Sequence, residues 1–209
     1  MRRATVTNNE PAGTQLGAVS FDLVPDDYKV AGQWAKVKMG DVEGQFAFAS
    51  SPREPLLLLA KDLGAAGNAL SAARPGDVVQ VGEVHGGFPL ERVAGLPLVL
   101  LAGGSGISAL RPVVEAEVRA GLPRPVYLLY GVLSAEHTSF VADLNRWRSA
   151  GVFVHVAIDR PFVQDVAKRL GLVRADVGVL MAGVPEMLAA ARAAWSAAGV
   201  SADRLLVNF

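Results

Sequence analysis

From residue 96 onward, short apolar runs alternate with stretches of helical spacing. Residues 98–102, Leu-Val-Leu-Leu-Ala, carry no polar position, as a strand buried on both faces requires. Glycines at 103, 104 and 106 break that run. Residues 107–119 then place Leu110, Val113 and Val114 on one helical face, and Gly121, Pro123 and Pro125 end the helix. Residues 126–130 predict the next strand, and Ser134 can cap a helix that reaches Arg148. Residues 152–158 predict a third strand, 161–170 a short helix and 177–182 a fourth strand. Pro185 suits the first turn of a last helix and Gly199 its end, before a fifth strand over 204–209. Strands that alternate with helices imply a parallel, doubly wound sheet, because each parallel crossover needs a helix-sized connection.

Before residue 95 the period is two. Residues 18–23 and 34–39 alternate in and out like half-exposed antiparallel strands, and 44–50 and 55–60 add two more. A small helix over 66–73 and a strand over 77–81, after the turn Arg74-Pro75-Gly76, complete this half. The expected fold class is therefore α/β plus β. An N-terminal antiparallel β-barrel over 1–94 precedes a five-stranded parallel, doubly wound nucleotide-binding domain over 95–209.

Composition narrows the function. Hydrophobic residues make up 51% and charged residues 19%, the balance of a globular chain. Twenty basic and twenty acidic residues cancel, which leaves no footprint for nucleic acid or an anionic membrane. No apolar run approaches the roughly 20 residues of a membrane span. The start, Met1-Arg2-Arg3, has no apolar run behind it and does not read as a signal peptide. The expectation is a soluble, cytoplasmic protein. Without cysteine there is no disulfide, thiol nucleophile or Cys-held cluster, and His85, His137 and His155 lie in separate segments, so no metal site is expected.

Gly104-x-Gly106-x-x-Ala109 stands between a predicted strand and a predicted helix. Glycines there let the backbone approach a pyrophosphate, whose charge the helix N-terminus then stabilises. The pattern is weak alone, but its strand–loop–helix setting favours a dinucleotide. The next strand ends Tyr130-Gly131-Val132-Leu133, without the acid of an ordinary dinucleotide fingerprint. No Gly-Lys-Ser/Thr follows, so this is no Walker loop, and Ser105 lacks the last glycine of a hydrolase elbow.

Several segments together resemble the ferredoxin–NADP⁺ reductase superfamily, in the right order over roughly residues 30–209. They are Gly32-Gln33-Trp34, Phe48-Ala49-Ser50-Ser51-Pro52, Arg74-Pro75-Gly76-Asp77, Gly86-Gly87-Phe88-Pro89-Leu90, the loop from Leu100 to Leu110, Leu129-Tyr130-Gly131 and Met181-Ala182-Gly183-Val184-Pro185-Glu186-Met187. The resemblance implies FAD against the barrel and NAD(P)H on the second domain. Electrons would pass to a separate protein or small-molecule acceptor. It places Gly104, Ser105 and Gly106 at the dinucleotide phosphates and Gly183 and Pro185 near the nicotinamide. Ser50 would lie at the end of the flavin strand, and Gly64 and Gly67 in the segment that cradles phosphate. Phe209 would either cover the flavin or close the last strand as a core residue. No catalytic side chain is assigned, since the cofactors carry the chemistry.

The departures from that family are specific. Its flavin strand reads Arg-x-Tyr-Ser/Thr, and those places fall on Gly44, Phe46 and Ala47. Phe46 keeps a ring to stack, but the guanidinium and hydroxyl are gone. The family's cysteine near the nicotinamide falls on Ala182. The third strand ends Ile158-Asp159-Arg160. A carboxylate there repels a 2′-phosphate and suits a ribose diol, so NADH is favoured, with Arg160 as the opposing charge. Asp159 as a cap for the next helix is the plainer alternative. For function, the alternative to a flavin-linked reductase is a flavin-less relative that binds nucleotide or serves as a protein-interaction subunit.

Overall fold

The computed structural model describes residues 1–61 and 64–208. Its first part forms strands β1 (Arg2–Pro11), β2 (Leu16–Phe21), β3 (Gln33–Met39), β4 (Val42–Ala47), β5 (Leu57–Lys61) and β6 (Val78–Gly86), with α1 (Gly64–Ser71) between the last two. The sheet order is β4-β3-β6-β1-β2-β5, antiparallel throughout. It curls until its edges meet at a bridge between Phe48 and Leu58, where the Ala49 N–H donates to the Leu57 carbonyl at 2.8 Å. Val19, Phe21, Val37, Phe48, Leu58 and Val81 fill the interior.

The sequence pattern gives no strand before residue 18, yet β1 lies at the middle of this sheet. Among its ten residues only Ala4 and Val6 are buried, and a register shift between Val6 and Asn8 ends the alternation. Its first half pairs with β6 and its second with β2. Backbone pairing on both sides holds it, so no apolar stripe advertises it.

The second sheet contains β7 (Leu98–Gly103), β8 (Val126–Val132), β9 (Phe153–Ile158), β10 (Gly178–Ala182) and β11 (Leu205–Val207), all parallel in the order β11-β10-β7-β8-β9. Helices α2 (Ile107–Arg119) and α3 (Val141–Ala150) cover one face, with Leu98, Leu100 and Ala102 packed among Leu110, Val113 and Trp147. Helices α4 (Val163–Arg169) and α5 (Pro185–Ala197) cover the other, where Val99, Leu101 and Met181 meet Val166, Ala191 and Trp195. Two-sided burial is why β7 and β10 read as unbroken apolar runs, whereas the edge strand β9 buries only Ala157. Ser134 does not cap α3. A single 3₁₀ turn over Ala135–His137 intervenes, the Ser134 Oγ lies 2.8 Å from His137 Nδ1, and α3 starts only after Phe140, whose φ is 55°.

The two sheets are joined by polar contacts as well as by apolar packing around Phe88 and Ala31. Arg111 of α2 donates to the Ala49 carbonyl and to Asp143, both at 2.8 Å, and lies over the Phe140 ring. The Asn208 amide donates to the Gly32 carbonyl, while its backbone N–H donates to Met181 at 2.9 Å. Among the described residues no helix is long and apolar enough to cross a membrane.

Candidate functional site

After β7 the chain adds β8 and β9 on one side, then crosses to β10 on the other. Ligands of open parallel sheets bind outside the strand C-termini at such a reversal, and the glycine loop lies there. A 3₁₀ turn, Gly104–Gly106, links β7 to α2. Gly104 has φ 51°, and a Cβ on it would meet nothing within 4 Å, so the loop is open at that point. Gly106 is the opposite case. Its Cβ would collide with the Ala182 carbonyl and stand 2.9 Å from the Gly183 nitrogen, so the loop backbone rests directly on the end of β10. The Ser108 hydroxyl ties the turn by donating to the Ser105 carbonyl at 2.8 Å.

A cleft of about 640 Å³ joins this loop to the barrel, within the size range of small-molecule sites. Phe46, Ala47, Gly64 and Gly67 line its barrel wall. Gly104, Ser105, Gly106, Gly183 and Pro185 line its sheet wall. Ser50 is not brought there. It is buried, with its hydroxyl accepting from the Leu57 N–H at 3.1 Å and its carbonyl from the Tyr28 hydroxyl at 2.5 Å. Burial pushes the Tyr28 phenol well above the ordinary tyrosine range. Asp159 and Arg160 are exposed beyond β9, outside the cleft lining. Asp159 does not cap α4, because Phe162 holds the N-cap position and no side chain bonds there. The Arg160 guanidinium lies 4.9 Å from the Phe162 ring centre. Phe209 falls outside the described residues.

The barrel wall explains the glycine in β4. A Cβ on Gly44 would stand 2.8 Å from the Ala66 Cβ and 3.0 Å from Phe46 Cε2. Helix α1 thus rests against the strand where a longer side chain would otherwise project. Gly67 allows α1 to approach the other neighbour, since a Cβ there would collide with the Lys61 carbonyl. Among the cleft residues that escaped the sequence reading are Lys61 at the end of β5 and Asn208 just after β11. Neither belongs to a local motif. Their significance comes only from the walls that folding brings together.

No family model matches the chain. The architecture nevertheless has clear counterparts. An Amycolatopsis cytochrome P450 reductase, GcoB, superposes with a TM-score of 0.87 at 20% identity, over 99% of this chain and 69% of that one. A ferredoxin NADP⁺ reductase from Neisseria gonorrhoeae, with bound FAD and NADP, superposes with a TM-score of 0.83 at 16% identity, over 95% and 91%. The chain has the ferredoxin–NADP⁺ reductase fold. In sequence, the chain is 33% identical to sulfhydrogenase 2 subunit gamma of Pyrococcus furiosus over 101 residues, 46% of this chain and 35% of that protein. It spans a third to a half of the length of the curated relatives it matches.

The side chains and backbone of the cleft suit a flavin and a dinucleotide. Phe46 gives a flat ring face, the glycine-bearing segments of both walls give access to backbone amides, and Lys61 gives a positive charge. β4 carries neither the guanidinium nor the hydroxyl that the sequence resemblance leads one to expect, Gly44 and Ala47 standing at those places.

Proposed function

We propose that this chain moves electrons from a nicotinamide dinucleotide, NADH in preference to NADPH, through FAD to a separate protein or small-molecule acceptor. In this reading residues 1–94 hold the flavin and 95–209 the dinucleotide. The observation that carries it is the single cleft with Phe46 on one wall and the Gly104–Gly106 loop at the strand reversal on the other. When bound, FAD accepts hydride from the nicotinamide and releases electrons onward. The chain's own work is to hold and align. Gly104 leaves room for phosphate, Gly183 and Pro185 bound the place of the nicotinamide, and Phe46 offers a stacking face. The carboxylate of Asp159, near the expected ribose end, disfavours a 2′-phosphate.

The packing of Ala66 against Gly44 favours a second reading, in which the barrel has lost flavin and the chain serves as a nucleotide-binding subunit of an assembly. The similarity to a sulfhydrogenase subunit agrees with that alternative. The visible absorption spectrum of purified protein separates the two, recorded alone, with added FAD and then with NADH. A protein-bound flavin band that NADH bleaches supports the reductase. No bound flavin even in excess FAD refutes it and leaves the subunit reading.

A further inference from the structure

Charge in the cleft is sparse. Among the described residues its ionisable lining residues are Glu43 and Lys61. Glu43 is paired with Lys36 at 3.2 Å, whereas Lys61 is half-buried and forms no ion pair among the described residues. A cation drawn partly out of water without a partner loses solvation that a ligand anion can restore.

The position next to it is closed to the usual solution. At Gly44 the space beside β4 is taken by Ala66 and by the Phe46 ring. No side chain reaches a phosphate from that strand position. The edges of β4 and β5 meet at the Phe48–Leu58 bridge, three residues before Lys61. The close approach of Gly67 to the Lys61 carbonyl then folds the first turn of α1 onto the same rim. Lys61 at the end of β5 therefore lines the cleft together with Phe46 and Gly64.

We infer that Lys61 supplies the cationic contact to the phosphate of the bound flavin, in place of an arginine on β4. The inference rests on the proposed flavin site. An ammonium is a point charge on a flexible stem and does not form the planar fork of a guanidinium. Flavin held this way is bound with weaker geometric constraint and with a marked dependence on salt.

The test is FAD affinity, read by quenching of flavin fluorescence, for the wild-type chain and for Lys61→Gln and Lys61→Arg at low and high sodium chloride. Lys61→Gln is expected to weaken FAD about tenfold or more at low salt and to flatten the salt dependence. Lys61→Arg is expected to keep both the affinity and the salt dependence. FAD affinity unchanged in Lys61→Gln overturns the inference and leaves the flavin site standing. Equal losses in Gln and Arg also overturn it, because a charge-independent effect is structural. A wild-type chain that binds no FAD overturns this inference and the proposed reductase together.

Discussion

Substituting Gly44 by alanine tests whether α1 closes the arginine position. The backbone of Gly44 is not in the left-handed region, so alanine would ordinarily stabilise the strand by about 0.5–1 kcal/mol through lower unfolded-state entropy. The new methyl would stand 2.8 Å from the Ala66 Cβ, well inside the ~3.5–4.0 Å optimum for carbon pairs. Overpacking of that kind costs about 1–3 kcal/mol, so the net loss is roughly 0.5–2 kcal/mol. Ala66→Gly alone should cost up to about 1 kcal/mol from helix propensity. In the double variant the collision with Ala66 disappears, the Phe46 ring has only to give by a few tenths of an ångström, and the strand gain and helix cost nearly cancel. Urea unfolding followed by tryptophan fluorescence should then return the double variant to within about 0.5 kcal/mol of wild type. The resulting coupling of about 1–3 kcal/mol is the signature of direct contact. Additivity of the two single variants within ~0.5 kcal/mol would refute the packing argument.

The two loop glycines should behave differently. Gly104→Val should leave the fold intact, apart from about 1 kcal/mol of backbone strain, and abolish NADH binding, whereas Gly106→Ala should destabilise the protein itself through its collision with Ala182. Thermal melts and NADH titrations of both variants check this, and NADH affinity retained in Gly104→Val would misplace the site. Asp159→Ser should raise NADPH use relative to NADH about tenfold or more by removing a like charge, and an unchanged kcat/KM ratio would remove Asp159 from the site. Burial raises the phenols of Tyr28 and Tyr130 above the ordinary value of 10.0. Their contribution to stability is therefore complete below about pH 10 and is lost as pH rises past the unfolded value. Urea midpoints measured across that range should fall above pH 10, less so in Tyr28→Phe, and a flat profile would contradict the burial of these rings.

What could be read from the chain follows from how locally each feature is encoded. Helix α2 was legible to the residue because a glycine turn, an apolar face and the stop at Gly121 all lie within one stretch. The central parallel strands β7 and β10 were equally plain, since burial on both faces leaves no polar position inside them. β1 was invisible because two buried side chains and a bulge make no period. The start of α3 was misplaced because Ser134 looks like a cap, while the turn at Phe140 depends on its tertiary setting. At the cleft, the glycines of both walls were singled out in the sequence, the Gly104 loop by its strand–loop–helix setting and Gly64, Gly67 and Gly183 by resemblance. Lys61 was not, because its importance arises from Ala66 filling the space beside Gly44, a relation between three segments distant in sequence.

The joint at Arg111 bears on how the cleft is held. Its guanidinium is largely shielded from solvent and binds Ala49 of the barrel and Asp143 of the other half at once. The outer pair between Arg119 and Glu54 is exposed and adds little. Separating the halves means breaking the Arg111–Ala49 and Asn208–Gly32 bonds, about 3 kcal/mol together, and also the Thr14–Glu136 backbone bond and the apolar packing around Phe88 and Ala31. The two walls of the cleft are thus held in register from outside it, by a side chain that does not line it.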